Sequence, residues 1–267
     1  MTTLDVLICT LNEGILRVKN VLLQPQSGIR YVVSWQQDGC DCDVPPELIR
    51  SDVTISTISG RGLSRNRNNA IAQSTADICL IADDDVTYMP DTFRAVINTF
   101  EANPNLDIAT FRSQSKYEQK QFPDYEFNLA KPTKGYYATS FEIAFRRKSI
   151  DGKLKFNELL GLGAPVLHAG EESVFMTEAV RRGLNCRFFP ITIVTHDHPT
   201  TGVNPIQTPG TIMAQGAYIY IAYRDCTAPL RYVLKAWRMS RSTRTGFFRA
   251  LWYITKGAAY AKKNISF

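Results

Sequence analysis

Three consecutive aspartates, Asp83-Asp84-Asp85, carry the heaviest chemical load in this chain of 267 residues. They end an apolar run, Ile78-Cys79-Leu80-Ile81-Ala82, that has the character of a buried strand. Like charges held this close raise one another's pKa and oppose folding unless something neutralises them. A divalent cation does so, and an oxygen-rich set suits Mg²⁺ or Mn²⁺. The bland reading of such a triplet is a solvated acidic turn. Its place at the carboxyl end of a central strand favours metal binding instead. Other chemistry-bearing residues lie at similar punctuation points. Two of the three histidines, His196 and His198, follow another apolar run, and Glu171-Glu172 open a segment with helical character. At a helix start the dipole favours ionised carboxylates, so Glu171 and Glu172 are either dipole partners or a general base.

The elements that must position these residues alternate. Leu4 to Thr10, Tyr31 to Trp35, Val53 to Ile58, Asp77 to Ala82 and Leu106 to Phe111 read as strands. Asn12 is placed to cap a helix through Val18, Val21 and Leu22, and Ser64 to cap one through Ala70 to Ala72. Pro90 precedes Phe93, Val96, Ile97 and Phe100, which recur at helical spacing. Alternation of this kind predicts a largely parallel sheet flanked by helices, with ligands beyond the carboxyl ends of the strands. That rule gathers 10–13, 36–39 and 83–85 around one crevice. The polar stretch 113–134 reads as a loop or flap, Thr139 to Phe145 as a strand and Glu171 to Arg182 as a helix. Cys186 to Phe189 and Ile191 to Val194 read as two further strands.

Charge is unevenly spread. Nine basic residues and no acidic ones lie in 226–267; taking those nine from the net +6 leaves −3 for 1–225. The chain therefore divides by composition into a mildly acidic catalytic body, 1–225, and a basic aromatic extension, 226–267. The first residues lack a signal-peptide pattern and no window is apolar enough to span a bilayer. Cys9, Cys79 and Cys186 sit in apolar runs as small core residues, and Cys40-Asp41-Cys42 has no second half at zinc spacing. This cysteine usage points to a reducing compartment, the cytoplasm.

Six segments taken in order resemble the family 2 glycosyltransferases, which have the GT-A fold: an α/β, Rossmann-like, mostly parallel sheet between helices. Val6 to Glu13 resembles the family's first strand and its Thr-Tyr-Asn-Glu turn. Gln37-Asp38-Gly39 stands at its Asp-Asp-Gly-Ser, and Gly62-Leu63-Ser64 with Arg67-Asn68 at its Gly-Leu-Ser…Arg-Asn segment. Asp83-Asp84-Asp85 takes the Asp-x-Asp position. Gly170-Glu171-Glu172 is similar to its acidic helix start, and Val194-Thr195-His196 with Pro199-Thr200-Thr201 to its closing motif. The resemblance covers about 4–201 and implies an inverting, metal-dependent transfer from a nucleotide diphosphate sugar to a hydroxyl. It implies a donor-binding half at 1–112 and an acceptor-binding half at 113–225. Asp83 and Asp85 then hold Mn²⁺ or Mg²⁺ with His196, or His198 as its substitute. Thr10, Asn12, Glu13, Asp38, Arg67, Asp83 and Asp84 line the nucleotide-sugar site. Glu172 is the base and Glu171 its neighbour. Two departures stand out: Leu11 replaces the usual aromatic, and Gln37 replaces the first carboxylate of the pair. UDP is the donor nucleotide that the resemblance favours.

In the extension, Leu230, Val233, Leu234 and Trp237 follow helical spacing between Lys and Arg, the pattern of a basic amphipathic helix lying in a membrane interface. A lipid-linked or glycan acceptor in cell-surface polysaccharide assembly fits that surface, at the inner face of the cytoplasmic membrane. The alternative is a helical pair packed on the domain or a homodimer contact. An acidic body without an RNA-binding motif argues against nucleic acid. Two other functions keep the same fold features. A sugar-phosphate nucleotidyltransferase needs a Gly-rich, basic first loop, which Thr10-Leu11-Asn12-Glu13 lacks. A non-catalytic nucleotide-sugar binder or scaffold would not need Asp83, Asp85, Glu172 and His196 together.

Overall fold

The computed structural model describes residues 1–117, 120–197 and 208–266. They divide into two compact units. One comprises Met1–Arg61, Arg65–Lys155 and Glu178–Pro199; the other comprises Gly62–Ser64, Phe156–Thr177 and Thr200–Phe267.

The first unit is built on a mixed sheet of eight strands: β1 (Leu4–Leu11), β2 (Ile29–Gln37), β3 (Val53–Ser59), β4 (Ile78–Asp83), β5 (Ile108–Gln114), β6 (Phe127–Asn128), β7 (Ile143–Arg146) and β8 (Cys186–Thr195). Their order is β3-β2-β1-β4-β7-β5-β8-β6. β1, β2, β3 and β4 pair in parallel, as do β5 and β8, while β7 runs antiparallel between β4 and β5. Every residue of β1 before Leu11 is buried, as expected of a strand covered on both faces. Helices α1 (Leu63–Gln73), α2 (Thr92–Ala102) and α3 (Arg147–Ile150) follow strands β3, β4 and β7. The four periodic apolar residues of α2, Phe93, Val96, Ile97 and Phe100, all enter the core with β1, β2 and β4.

Four local readings of the sequence change, one at Thr139 to Phe145, where a 3₁₀ turn (Ser140–Glu142) precedes the short strand β7. The segment after β1 is two short 3₁₀ turns, Asn12–Leu16 and Val18–Asn20, not a capped α-helix. Asn12 adopts φ 49°, and its side chain bonds Asp38 instead of a helix end. The two strands expected around Pro190 are one, β8. Its register against β5 shifts between Thr110 and Arg112, so the proline, which has no N–H to give, falls beside the irregularity. Ser64 does not cap α1: its hydroxyl donates to the Leu160 carbonyl.

The second unit is largely helical. It holds the start of α4 (Glu171–Arg181), then α5 (Pro209–Ala222), α6 (Ala228–Ser242) and α7 (Phe247–Asn264). Helix α5 has no amphipathic pattern to betray it, and the sequence reading passes over it. α5 and α7 cross at small residues. A β-carbon on Gly216 would strike the Ile254 backbone, and one on Gly257 the Met213 backbone, so each glycine lets the opposing helix approach. No helix among the described residues is long and apolar enough to cross a membrane.

Candidate active site

Asp83 ends β4, and Asp84 and Asp85 follow it into the turn. The three carboxylates go three ways. Asp84 turns inward: Thr10 Oγ1 donates to its Oδ2, and Arg17 Nη2 donates to its Oδ1 at 2.8 Å. Burial pushes its carboxyl above the usual Asp value, against the pull of Thr10 and Arg17. Gly14 is part of the same packing, because a β-carbon there would meet both Asp84 and Thr10. Asp84 therefore ties β4 to the end of β1.

Asp83 is paired with Arg67. The guanidinium is 2% exposed on α1, and its Nη2 lies 3.5 Å from Asp83 Oδ1. Ser140 Oγ donates to the other Asp83 oxygen at 3.1 Å. The resemblance places Arg67 in the nucleotide-sugar site; the fold buries its side chain and sets its charge against the acidic loop.

Asp85 points to His196. The backbone makes this meeting: Thr87 and Thr195 exchange N–H···O bonds of 2.8 and 2.9 Å, joining the chain just after the aspartates to the end of β8. The His196 N–H then donates to the Gln114 carbonyl. His196 Nε2 comes to 3.3 Å from Asp85 Oδ1, and its ring stacks on Phe141 at 5.1 Å between centroids. The imidazole is buried and the Asp85 carboxylate is about one-third exposed. Carboxylates beside an imidazole are a donor set that suits a divalent cation, Mn²⁺ better than Mg²⁺, so the residues present fit one. His198 lies outside the described residues.

The ends of β1 and β2 form the rest of this cluster. Asn12 Oδ1 accepts from the Asp38 N–H at 2.8 Å, and Asn12 Nδ2 donates to the Asp38 carbonyl at 3.1 Å. Trp35 Nε1 donates to the Asn12 carbonyl, and Asn66 Nδ2 to the Thr10 carbonyl. The Asp38 side chain is exposed and ion-paired with Arg61. Glu13 is exposed, and Leu11 stands out to solvent at the strand end. Thr10, Asn12, Asp38, Arg67 and the three aspartates therefore belong to one connected set. Sequence reading missed Gly14, Arg17, Asn66, Ser140 and Phe141, none of which has a spacing signal, although Gly14 and Asn66 sit beside motifs already singled out.

In the helical unit, Gly170 (φ 86°) leads into α4, which opens with Glu171 and Glu172. Glu171 is buried against Gly161, where a β-carbon would crowd its carboxyl group. Glu172 is half-buried. Gly161 N–H donates to the Leu167 carbonyl, and Leu63 N–H to the Leu162 carbonyl. The Gly-Leu-Ser segment and the acidic helix start thus share the loop around 160–167.

Comparison with known proteins adds to this geometry. Residues 49–157 match the family model described as glycosyl transferase family 2. The crystal structure of S. aureus TarS 1-349 is similar over 100% of this chain and 93% of its own, with a TM-score of 0.64 and 11% identity. TarS 1-349 in complex with UDP-GlcNAc gives 0.62 and 11%, covering 98% and 92%. The mannosyltransferase PcManGT from Pyrobaculum calidifontis, in complex with GDP-Man and Mn²⁺, gives 0.59 and 13%, covering 99% and 76%. No curated protein matches by sequence. The chain has the GT-A fold of the family 2 glycosyltransferases.

Proposed function

We propose that this chain is a metal-dependent inverting glycosyltransferase that moves a sugar from a nucleotide diphosphate donor, UDP foremost, to a hydroxyl of a glycan or glycolipid acceptor. The observation that carries the reading is the division of labour in the acidic loop. Asp84 is buried in the scaffold, Asp83 is paired with Arg67, and Asp85 is set beside His196. Asp85 and His196, with Asp83, would hold the cation, which when bound offsets charge on the leaving diphosphate. Neighbours of the same fold are described with UDP-GlcNAc and with GDP-Man and Mn²⁺, which supports a nucleotide-sugar donor and a divalent metal.

The chain's own residues supply the remaining steps. The Thr10, Asn12 and Asp38 turn shapes the nucleotide end of the site. Arg67 orients Asp83. Glu172 takes the proton of the acceptor hydroxyl as its oxygen bonds the anomeric carbon and the bond to the diphosphate oxygen breaks from the opposite face, which inverts the centre. Glu171, buried beside Gly161, holds the start of α4 in place. Exposure of Leu230, Val233, Leu234 and Trp237 on α6 supports a peripheral membrane contact that would present a lipid-linked acceptor. A homodimer through the same helices is the competing use.

The test is donor turnover with Mn²⁺ and with chelator, on wild type, Asp85→Ala and Glu172→Gln, alongside thermal shifts with nucleotide diphosphates. A nucleotide at a hundred times its Kd should stabilise the wild type by about 2.7 kcal/mol. Asp85→Ala should lose the metal-dependent part of that shift. Glu172→Gln should keep the shift and lose about 10²–10⁴ in kcat. Turnover unaffected by chelator, or an active Glu172→Gln enzyme, would overturn the assignment. Pyrophosphate release would point to nucleotidyl transfer instead.

A further inference from the structure

Cys40 and Cys42 lie in the loop that follows β2, and the structure joins them as a disulfide. This departs from the reducing-compartment reading of the cysteines. It also marks the pair off from the core thiols Cys9, Cys79 and Cys186, which are free, buried, and pushed up to about 12 by that burial. Glu13 comes to the same spot from the turn after β1. Its carboxylate oxygen and the two sulfurs all lie within 4.8 Å of one another. Among the described residues this is the one place where three groups of metal-ligating type converge so tightly; Asp83, Asp85 and His196 do not.

We propose that the reduced Cys40–Cys42 pair and Glu13 form a second cation site, selective for a thiophilic divalent ion of the Zn²⁺ type. Two thiolates and a carboxylate make a soft donor set with room for a fourth ligand, unlike the hard Asp and His set at the acidic loop. The geometry supports it in a further respect. Asn12 already ties the two loops together through both backbone groups of Asp38, so Glu13 and Cys40 are brought together without help from the metal. Cys42 packs against the core of the same unit, and this anchors the far side of the loop. A site assembled in advance loses less entropy on binding.

The chemistry balances in two steps. A dithiol reductant delivers two electrons and two protons across the S–S bond and closes to its own disulfide. The cation then displaces both thiol protons to solvent and bonds the two thiolates and the Glu13 carboxylate. Disulfide and metal-bound forms are mutually exclusive, because each uses the same sulfurs. The proposed site shares Glu13 with the nucleotide-sugar lining that the family resemblance implies, but it uses none of the transfer's steps.

Cobalt(II) titration tests it, since a thiolate bound to cobalt gives a charge-transfer absorption that carboxylate and imidazole do not. Protein reduced with a phosphine and freed of it should develop the band with a single equivalent of Co²⁺, and Zn²⁺ should bleach it. Protein left as the disulfide should not develop it. Cys40→Ser and Cys42→Ser should each abolish the band, whereas Cys226→Ser and Asp85→Ala should retain it. Glu13→Gln should weaken cobalt binding by about tenfold or more. No band in reduced wild type, a band that survives Cys40→Ser, or an unchanged affinity in Glu13→Gln would each overturn the proposal.

Discussion

The two units bury different things. The sheet unit hides its large side chains: Tyr31, Phe93, Phe100 and Phe111 are all essentially inaccessible. The helical unit buries the stacked Phe156 and Phe175, but packs α5 against α7 through small residues, with Gly216, Ala217, Gly257, Ala258 and Ala261 along the two helices, and leaves other large aromatics outside. Trp237, Phe248 and Trp252 are each about half exposed or more, with Arg241 over the Trp237 ring and Lys256 over that of Trp252. Buried α6 residues are Ala228, Ala236 and Met239, so the apolar stripe seen in the sequence is not the face that packs. In the helical unit, aromatic content therefore means core at Phe156 and Phe175 and surface along α6 and α7. Buried apolar area stabilises both units, and the helical unit adds the close backbone approach of α5 and α7.

The contrast can be broken or sharpened by substitution. Phe100→Ala, in the sheet core, should cost about 3–5 kcal/mol in urea unfolding, because it removes a large buried ring and leaves a cavity. A loss below about 1 kcal/mol would mean the sheet unit does not depend on large side chains. Gly216→Ala should cost about 1–3 kcal/mol, since the added methyl meets backbone that can yield only by moving α7. Trp237→Ser should leave stability within about 0.5 kcal/mol, as expected for a surface site. It should nonetheless weaken sedimentation with vesicles rich in anionic lipid. Vesicle binding unchanged by Trp237→Ser would remove the membrane contact from the proposed function.

The smallest effect concerns a charge buried in the sheet unit. The carboxyl of Asp84 is held above its ordinary 3.8 chiefly by burial. Between the unfolded and the raised folded value, the folded state binds more protons than the unfolded one. The contribution of this group to stability therefore falls as pH rises through that interval and is constant above it. Asp84→Asn should remove that slope from pH-dependent urea midpoints. It should also lower stability at neutral pH, since the amide sets an N–H donor against Arg17 or Thr10. A slope that persists in Asp84→Asn would place its origin elsewhere.

Much of the sheet was legible because strands buried on both faces are written as continuous apolar runs, as at Leu4–Leu11 and Ile78–Asp83. Helix α2 was legible from the spacing of Phe93, Val96, Ile97 and Phe100. Helix α5 was not, because it carries apolar and small residues all round and so has no periodicity to read. The turn after Asn12 misled because asparagine serves as readily in a left-handed loop position as at a helix cap. The compositional boundary at 225/226 follows charge; the compact units are discontinuous in sequence, and charge cannot reveal that Phe156–Thr177 groups with the C-terminal helices.

From residue types and order alone came the parallel α/β sheet, the acidic loop at the end of β4 and the resemblance to the family 2 glycosyltransferases. These are local in origin: a hydrophobic run, a charge cluster and a chain of short motifs. Tertiary structure decided what each aspartate does. Asp84 is turned into the scaffold by Thr10 and Arg17, Asp83 is given a buried arginine, and Asp85 is set beside His196 by the Thr87–Thr195 bridge. Three identical neighbours in sequence cannot be told apart by composition. They acquire different chemistry only when strands distant in the chain bring a different partner to each.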